Sequence, residues 1–273
     1  DGNSNGISNG NYGKGASSGQ NITPTSADVT ATGVRVMKAY PTLAQVNLSA
    51  TEKTLQTVSG ATLYKYSVTA NGGDVYLYKQ TFLIGSSTVM ATTTQYALYA
   101  YTDSGYSTAD TTFIGATAGL LNAANAVNGC GANSYVALSN NCKAPTTVEI
   151  YMDAGTLGST ATTTYKIPAG ETRWLALKAD VSNVITVANA NESINVQLEG
   201  DAAYPTVVPG GGLTGLATGS AGQIDTDSNN DFIWSPLSTT STIAITNVDF
   251  TNAYSVVGLP GTHMTAEILK TSN

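Results

Sequence analysis

Charge is what this sequence has least of. Only 11% of its 273 residues are Asp, Glu, Lys or Arg, less than half the usual share. Eleven are basic and eighteen acidic, for a net charge of −7. Phosphate backbones are gripped by clustered Lys and Arg, so nucleic acid is not an expected partner. There is one histidine, His263, in "LPGTHMTAE". A Ser or Cys nucleophile ordinarily needs a positioned base, usually His, and a lone one after a Pro-Gly turn reads as a surface residue. No apolar run approaches the ~20 residues of a membrane-spanning helix, so no membrane span is expected. There is also no initiator Met and no signal peptide, which leads to the expectation of a mature or excised product.

Cysteine is nearly absent as well. Cys130 and Cys142 lie in "NGCGANSYVALSNNC", and with a single His they cannot make a structural zinc site. Gly and Asn flank both, so the intervening "SYVALS" can fold back and let them meet. A Cys130–Cys142 disulfide is expected, contributing roughly 3 kcal/mol in the chain-entropy picture; two buried free thiols are the alternative.

What the sequence does have is threonine, glycine, serine and asparagine, and fifteen Tyr against four Phe. Thr and Tyr suit half-buried pleated strands, while Gly and Asn supply turns. Many short strand signals at 8–12-residue spacing point to an all-β, antiparallel Ig-like β-sandwich. Residues 1–29 contain almost nothing that could form a core and are expected to be a largely unstructured arm, ordered only by a neighbouring subunit. The main sandwich is expected over 30–204. "ATLYKYSVTANGGDVYLYKQTFLIG" is its clearest part, two strands around an Asn-Gly turn of the hairpin-favouring kind. In "ESINVQLEG", Ile194, Val196 and Leu198 alternate with polar residues, so one face should be buried. "TAGLLNAANAVNG" is Ala- and Leu-rich and is expected to form a short helix ending at Gly129, within an insertion that also carries the cysteines. Residues 205–273, after the breaker-rich "PTVVPGGGLTG", are expected to be a β segment packing on or extending the sandwich.

The stretch "DTDSNNDFIWS" raises the question of chemistry. Asp225, Asp227 and Asn229 match the first, third and fifth ligand places of a calcium loop, and Asp231 follows. Asn230 replaces the turn glycine and Pro236 stands where the bidentate Glu should be, so an EF-hand is excluded. A looser calcium site is the candidate here, against Asx-turn chemistry in a plain loop. "DGNSNG" at 1–6 is a weaker version of the same spelling. Asp153, Glu171, Glu192, Glu199 and Asp201 fall at strand ends or turns, where solvated charges sit, so no catalytic carboxylate pair is expected. Trp174 and Trp234 could stack on sugar rings, but large aromatics in a sandwich more often belong to core or interface. "GASSG" at 15–19 and "GGGLTG" at 210–215 spell enzyme motifs without the strand-to-helix context those motifs need.

Two pieces carry a resemblance. "VMKAYPTLAQVNLS…TLYKYSVTANGGDVYLYKQTFLI" and "NDFIWSPLSTTST…VDFTNAYSVVGLP", with "LEGDAAYP" between them, resemble surface-layer-type cell-surface β-sandwich proteins of the candidate phyla radiation (Parcubacteria-like) bacteria. Those proteins carry "KAYPTF", "GDAA-P" and "DFIWSD…DWTNGY-V-GLP" in the same order. This chain departs from them at "WSPLS" and around 103–145. The resemblance implies a secreted, extracellular structural protein of the cell surface, with no catalytic residue. The expectation is a subunit that self-assembles with copies of itself into a surface layer or filament, with calcium the one expected cofactor. An arm beside a sheet edge suits strand donation, with residues 20–39 the docking stretch. The alternative is a non-assembling adhesin or a module binding a cell-envelope glycan.

Overall fold

The computed structural model describes residues 37–86, 91–113, 119–122, 146–152, 164–185, 191–202, 231–236, 250–254, 256–259 and 261–272, and the backbone of five two- or three-residue strands outside them. The chain divides into two units, Asp1–Val36 and Met37–Asn273. In the first, β1 (Gly13–Lys14) and β2 (Asn21–Ile22) pair antiparallel.

The second unit holds, in chain order, β3 (Tyr40–Gln45), β4 (Val58–Asn71), β5 (Val75–Ser86), β6 (Thr92–Tyr101), β7 (Val127–Gly129), β8 (Tyr135–Val136) and β9 (Cys142–Lys143). After these come β10 (Thr146–Tyr151), β11 (Tyr165–Ile167), β12 (Thr172–Ser182), β13 (Ser193–Leu198), β14 (Phe232–Ser235) and β15 (Glu267–Lys270). They form two antiparallel sheets. The smaller runs β3-β4-β12-β6-β9; the larger runs β15-β13-β5-β10-β7-β8, with β11 and β14 also on β5. β5 is therefore the spine of the larger sheet. β10 and β11 lie end to end along one of its edges, and β13 and β14 along the other.

Alternation sets the core. Tyr64, Tyr66 and Val68 of β4, Leu98 of β6, and Leu175 and Leu177 of β12 turn one face of the smaller sheet inward. Phe82 and Ile84, Val148 and Ile150, and Ile194, Val196 and Leu198 do the same for the larger one. The rings of Tyr64 and Phe82 meet edge-on at 6.3 Å, and the Tyr66 hydroxyl bonds Gln80 Oε1. The Tyr64 hydroxyl donates to Thr265 O at 2.7 Å, so both phenols keep a partner where an unpaired one would cost about 1–3 kcal/mol.

The Asn-Gly turn does not make the expected hairpin. β4 and β5 flank it but belong to different sheets, because each strand needs its inward aromatics opposite the other's. The turn is a corner instead. Gly72, at φ 77°, backs against the Lys38 carbonyl, where a Cβ would come to 3.0 Å. The "PAGE" turn at 168–171 is another crossing, from β11 to β12, and is tied to the first: Gly170 N–H donates to Ala70 O at 2.9 Å and Ala169 N–H to Asp74 Oδ1 at 2.9 Å. The expected helix ending at Gly129 is also absent from the described part of its span. Gly129 lies in β7, and residues 119–122 run along the free edge of β6. There Ala100 and Leu121 exchange backbone bonds with Gly119 and Leu98 at 2.8 Å, and Leu98 N–H donates to Asn122 Oδ1 at 2.7 Å. Ala and Leu suit a helix, but pairing this edge outweighs their propensity.

The outer edge of β3 is covered in a different way. Leu43 N–H donates to Val257 O at 2.8 Å. Pro41 faces the same way two residues earlier and has no N–H to offer, a common means of blunting an edge. Gly258, at φ 88°, sits so close that a Cβ there would fall 1.7 Å from Leu43 O. Beyond β15, Lys270 N–H reaches Lys53 O at 2.9 Å and Leu55 N–H reaches Lys270 O at 2.7 Å.

Candidate functional site

The outer face of β5 carries the charges of interest. β14 slips by one residue where it passes Tyr78, so Ile233 lies opposite Lys79 and Trp234 opposite Leu77. The extra residue turns both Tyr78 and Lys79 away from the core between the sheets. On the other edge, Tyr151 lies opposite Lys79, and Glu149 opposite Thr81. Lys79 Nζ meets Glu149 Oε1 at 3.0 Å, with both side chains at 0% exposure. Tyr78 packs edge-on against Tyr151 at 5.7 Å and against Phe250 at 5.8 Å. A small second core therefore lies on the outside of the larger sheet, with an ion pair inside it.

Asp201 borders this cluster. Its carboxylate accepts the N–H groups of Asp231 at 2.8 Å, Phe232 at 3.3 Å and Ala253 at 2.7 Å. It thereby holds the end of β13, the start of β14 and the 250–254 stretch together. Burial pushes the Asp201 carboxyl up to about 6 despite those bonds. Burial, followed by the charge of Asp201, pushes Asp231 up to about 7. Glu199, whose backbone pairs with His263, is also raised by burial.

A second buried acid, Asp110, lies behind the far end of the sheets. It accepts Arg173 Nε and the Tyr165 hydroxyl, both at 2.6 Å, and Thr112 N–H at 2.9 Å. Burial alone would raise it, but hydrogen bonds from Thr112, Tyr165 and Arg173 outweigh that and bring it down to about 2.

The expected site residues fare unevenly. Asp225, Asp227 and Asn229 lie outside the described residues, as do Asp153, Cys130 and the two Gly-rich spellings. Cys142 is described only as backbone of β9, paired with Thr93. Asp231 stands at the start of β14 beside Asp201. Among the described residues, no three His, Cys, Asp or Glu side chains come together in a way that would hold a metal. His263 is exposed, with Nδ1 2.9 Å from Thr262 Oγ1. Asp201 and Glu192 are buried, not solvated; Glu192 Oε2 takes Ile185 N–H at 2.7 Å. Trp234 is core, its indole N–H donating to Asn252 O at 2.9 Å.

Trp174 is only half-buried and lies on the outer face of the smaller sheet, opposite Tyr101 and Ser67. Near it, Lys178 Nζ lies 5.0 Å above the Tyr99 ring and donates to the Tyr101 hydroxyl at 2.9 Å. Lys79 and Glu149 went unremarked in the sequence. Their signal was a single charge in each of two otherwise uncharged strand runs, "VYLYKQTFLI" and "TTVEIYM".

No family model matches the chain, and no curated protein does. A solved structure described as "AvmM Catalyzes Macrocyclization in Alchivemycin A Biosynthesis" is 10% identical, over 59% of this chain and 72% of that one, with a TM-score of 0.15. A likeness at that level carries no argument about fold or activity.

Proposed function

We propose that this chain is a secreted structural subunit, an immunoglobulin-like sandwich that packs with copies of itself into a bacterial surface layer or extracellular filament. The observation that carries this is how the buried acids are used. Asp110, Asp201 and Glu192 are each taken up by backbone amides or a cation, which supports reading them as parts of the fold. The segments that carry the resemblance also meet one another. "GDAA" reaches "NDF" and "TNAY" through Asp201, and "YPTL" meets "VVGL" where Leu43 bonds Val257. Motif spacing of that kind serves assembly of the domain. Tyr40 and Val257, 48% and 61% exposed, lie on β3 and its cap, where a neighbouring subunit could bury them.

Electron microscopy and sedimentation of the purified chain test the proposal. Regular layers or filaments are expected, lost on deleting 1–29 if that arm is the donated strand. A lone particle at high concentration overturns it. Calcium stiffening by Asp225, Asp227 and Asn229 belongs to the same proposal, and a melting midpoint unchanged by chelator removes it. The half-exposed Trp174 beside Tyr99, Tyr101 and Lys178 favours glycan binding as the second reading, since aromatic faces stack on sugar rings. A monomer that binds a glycan array and loses that binding with Trp174→Ala would replace the first reading with the second.

A further inference from the structure

Lys79 lies diagonally across from two acids at once. Glu149 faces Thr81 on one side of β5. On the other side Ile233 faces Lys79, so Asp231, two residues earlier, falls beside Thr81 on the same face. Diagonal neighbours sit roughly 7–8 Å apart along the backbone, a gap that long side chains span. Lys79 Nζ rests on Glu149, and Lys79 also bears electrostatically on Asp231. Ile233, Tyr151 and Phe250, all buried, keep the surroundings dry, and Nζ is 5.9 Å from the Tyr151 ring centre. A buried ion pair is often no better for stability than an apolar replacement. What distinguishes this arrangement is a second acid, Asp231, diagonal to the same amine and feeling its charge; Asp201 feels that charge too, but its oxygens are taken by three backbone amides.

We propose that Lys79 and Asp231 become joined by an intramolecular amide bond, formed by the protein itself with Glu149 carrying the proton. An amine attacks a carboxyl group when the amine is neutral and the carboxyl is protonated. Glu149 takes a proton from the Lys79 ammonium across their 3.0 Å contact. Glu149 passes that proton on to the Asp231 carboxylate, which leaves the amine neutral and the acid a carboxyl group. Rotation about the outer bonds of Lys79 then carries Nζ from Glu149 to Asp231. The Nζ–Cγ bond forms and the bond from Cγ to its hydroxyl breaks. Of the two protons the nitrogen loses, one reaches Asp231 by way of Glu149 and the other follows the attack, and both leave with the departing oxygen as water, which returns Glu149 to its carboxylate. Neither oxidant nor cofactor enters the balance. The link fastens β5 to the start of β14 and closes the intervening chain into a covalent loop, whether or not copies assemble.

Intact-mass spectrometry of the purified full chain, reduced and denatured, tests this. The expected result is a mass one water below that of the sequence, and a peptide map with one branched peptide joining the Lys79 and Asp231 fragments. Lys79→Arg, which keeps the charge, and Asp231→Ala should each return the full mass of their own sequences. Glu149→Gln should leave most of the chain unlinked. Wild-type protein at full sequence mass overturns the proposal without reference to any variant. A water loss that maps elsewhere, such as a succinimide at an Asp-Gly pair, overturns it too.

Discussion

Asp110 and Asp201 are buried alike, 1% and 2% exposed, and each fastens stretches of chain far apart in sequence. Yet their carboxyls lie on opposite sides of the ordinary range, near 2 and near 6. Burial raises both. Asp110 faces a guanidinium, a phenol and a threonine; Asp201 faces three backbone amides, with another carboxylate beside them. At Asp201 three backbone amides and the charge of Lys79 do not offset the desolvation of the carboxylate. At Asp110 the hydroxyls of Thr112 and Tyr165, the Thr112 amide and the Arg173 guanidinium do. Hydrogen bonding alone therefore does not tell which buried acid favours its charged form.

Replacing each acid by its amide separates the two cases. Asp110→Asn should be the costlier, about 3–5 kcal/mol, because it removes the buried counter-charge of Arg173 and leaves it only the exposed Glu171. Asp201→Asn keeps one acceptor oxygen and removes an unfavourable charge, losing about one amide bond, or about 1–2 kcal/mol. Denaturant melts at pH 7.5 check both (~pH 7.5 lies above the raised carboxyl values, where both acids are charged). Equal losses would break the comparison.

The pattern of strands was legible, but the origin of this contrast was not. Alternation in "ESINVQLEG" gives the inward face of β13 directly, because period-2 side-chain direction is local. The Asn-Gly turn was legible as a turn, but not as a corner, because which sheet a strand joins depends on partners far along the chain. Asp201 looked like a solvated turn acid for the same reason. The groups that bury it, Asp231 and Ala253, come from segments well beyond it. Arg173 and Asp110 are separated by |i−j| of 63, and nothing in either flank names the other. Lone charges in otherwise uncharged strands, Lys79 and Glu149, were the one local sign of the outer cluster.

Acidity should separate the two sites again, with a smaller effect. Asp201 and Asp231 have folded values above the ~3.9 of an unfolded Asp, so the folded state holds the extra protons and stability falls as pH rises from about 4 to about 7. Asp110 has a folded value below ~3.9, so its contribution is present above that pH and is lost as pH falls toward about 2. Calorimetry across pH 2.5 to 8 (~2.5–8 spans both the lowered and the raised carboxyls) should therefore show a maximum on the mildly acid side. Asp110→Asn should flatten the acid limb, and Asp231→Asn the neutral one. Where Asp231 is already committed to an amide, the neutral limb belongs to Asp201 and is shallower from the start. A midpoint that falls steadily from neutral pH into acid would contradict the raised values.

The smallest effect falls on the same guanidinium that carries the largest. Arg173 reaches Glu171 Oε2 at 2.6 Å, the same distance as Asp110 Oδ2, but the Glu171 side chain is 49% exposed. Water and salt already solvate that carboxylate, so the contact exchanges one good environment for another. Glu171→Gln should cost at most about 0.5 kcal/mol, and less as salt is added. A double-mutant cycle with Asp110→Asn measures whether the two acids share the cation. If Glu171 takes up the charge once Asp110 is gone, the double mutant will lose more than the sum of the singles. Strict additivity would show that burial and not proximity decides which partner holds Arg173.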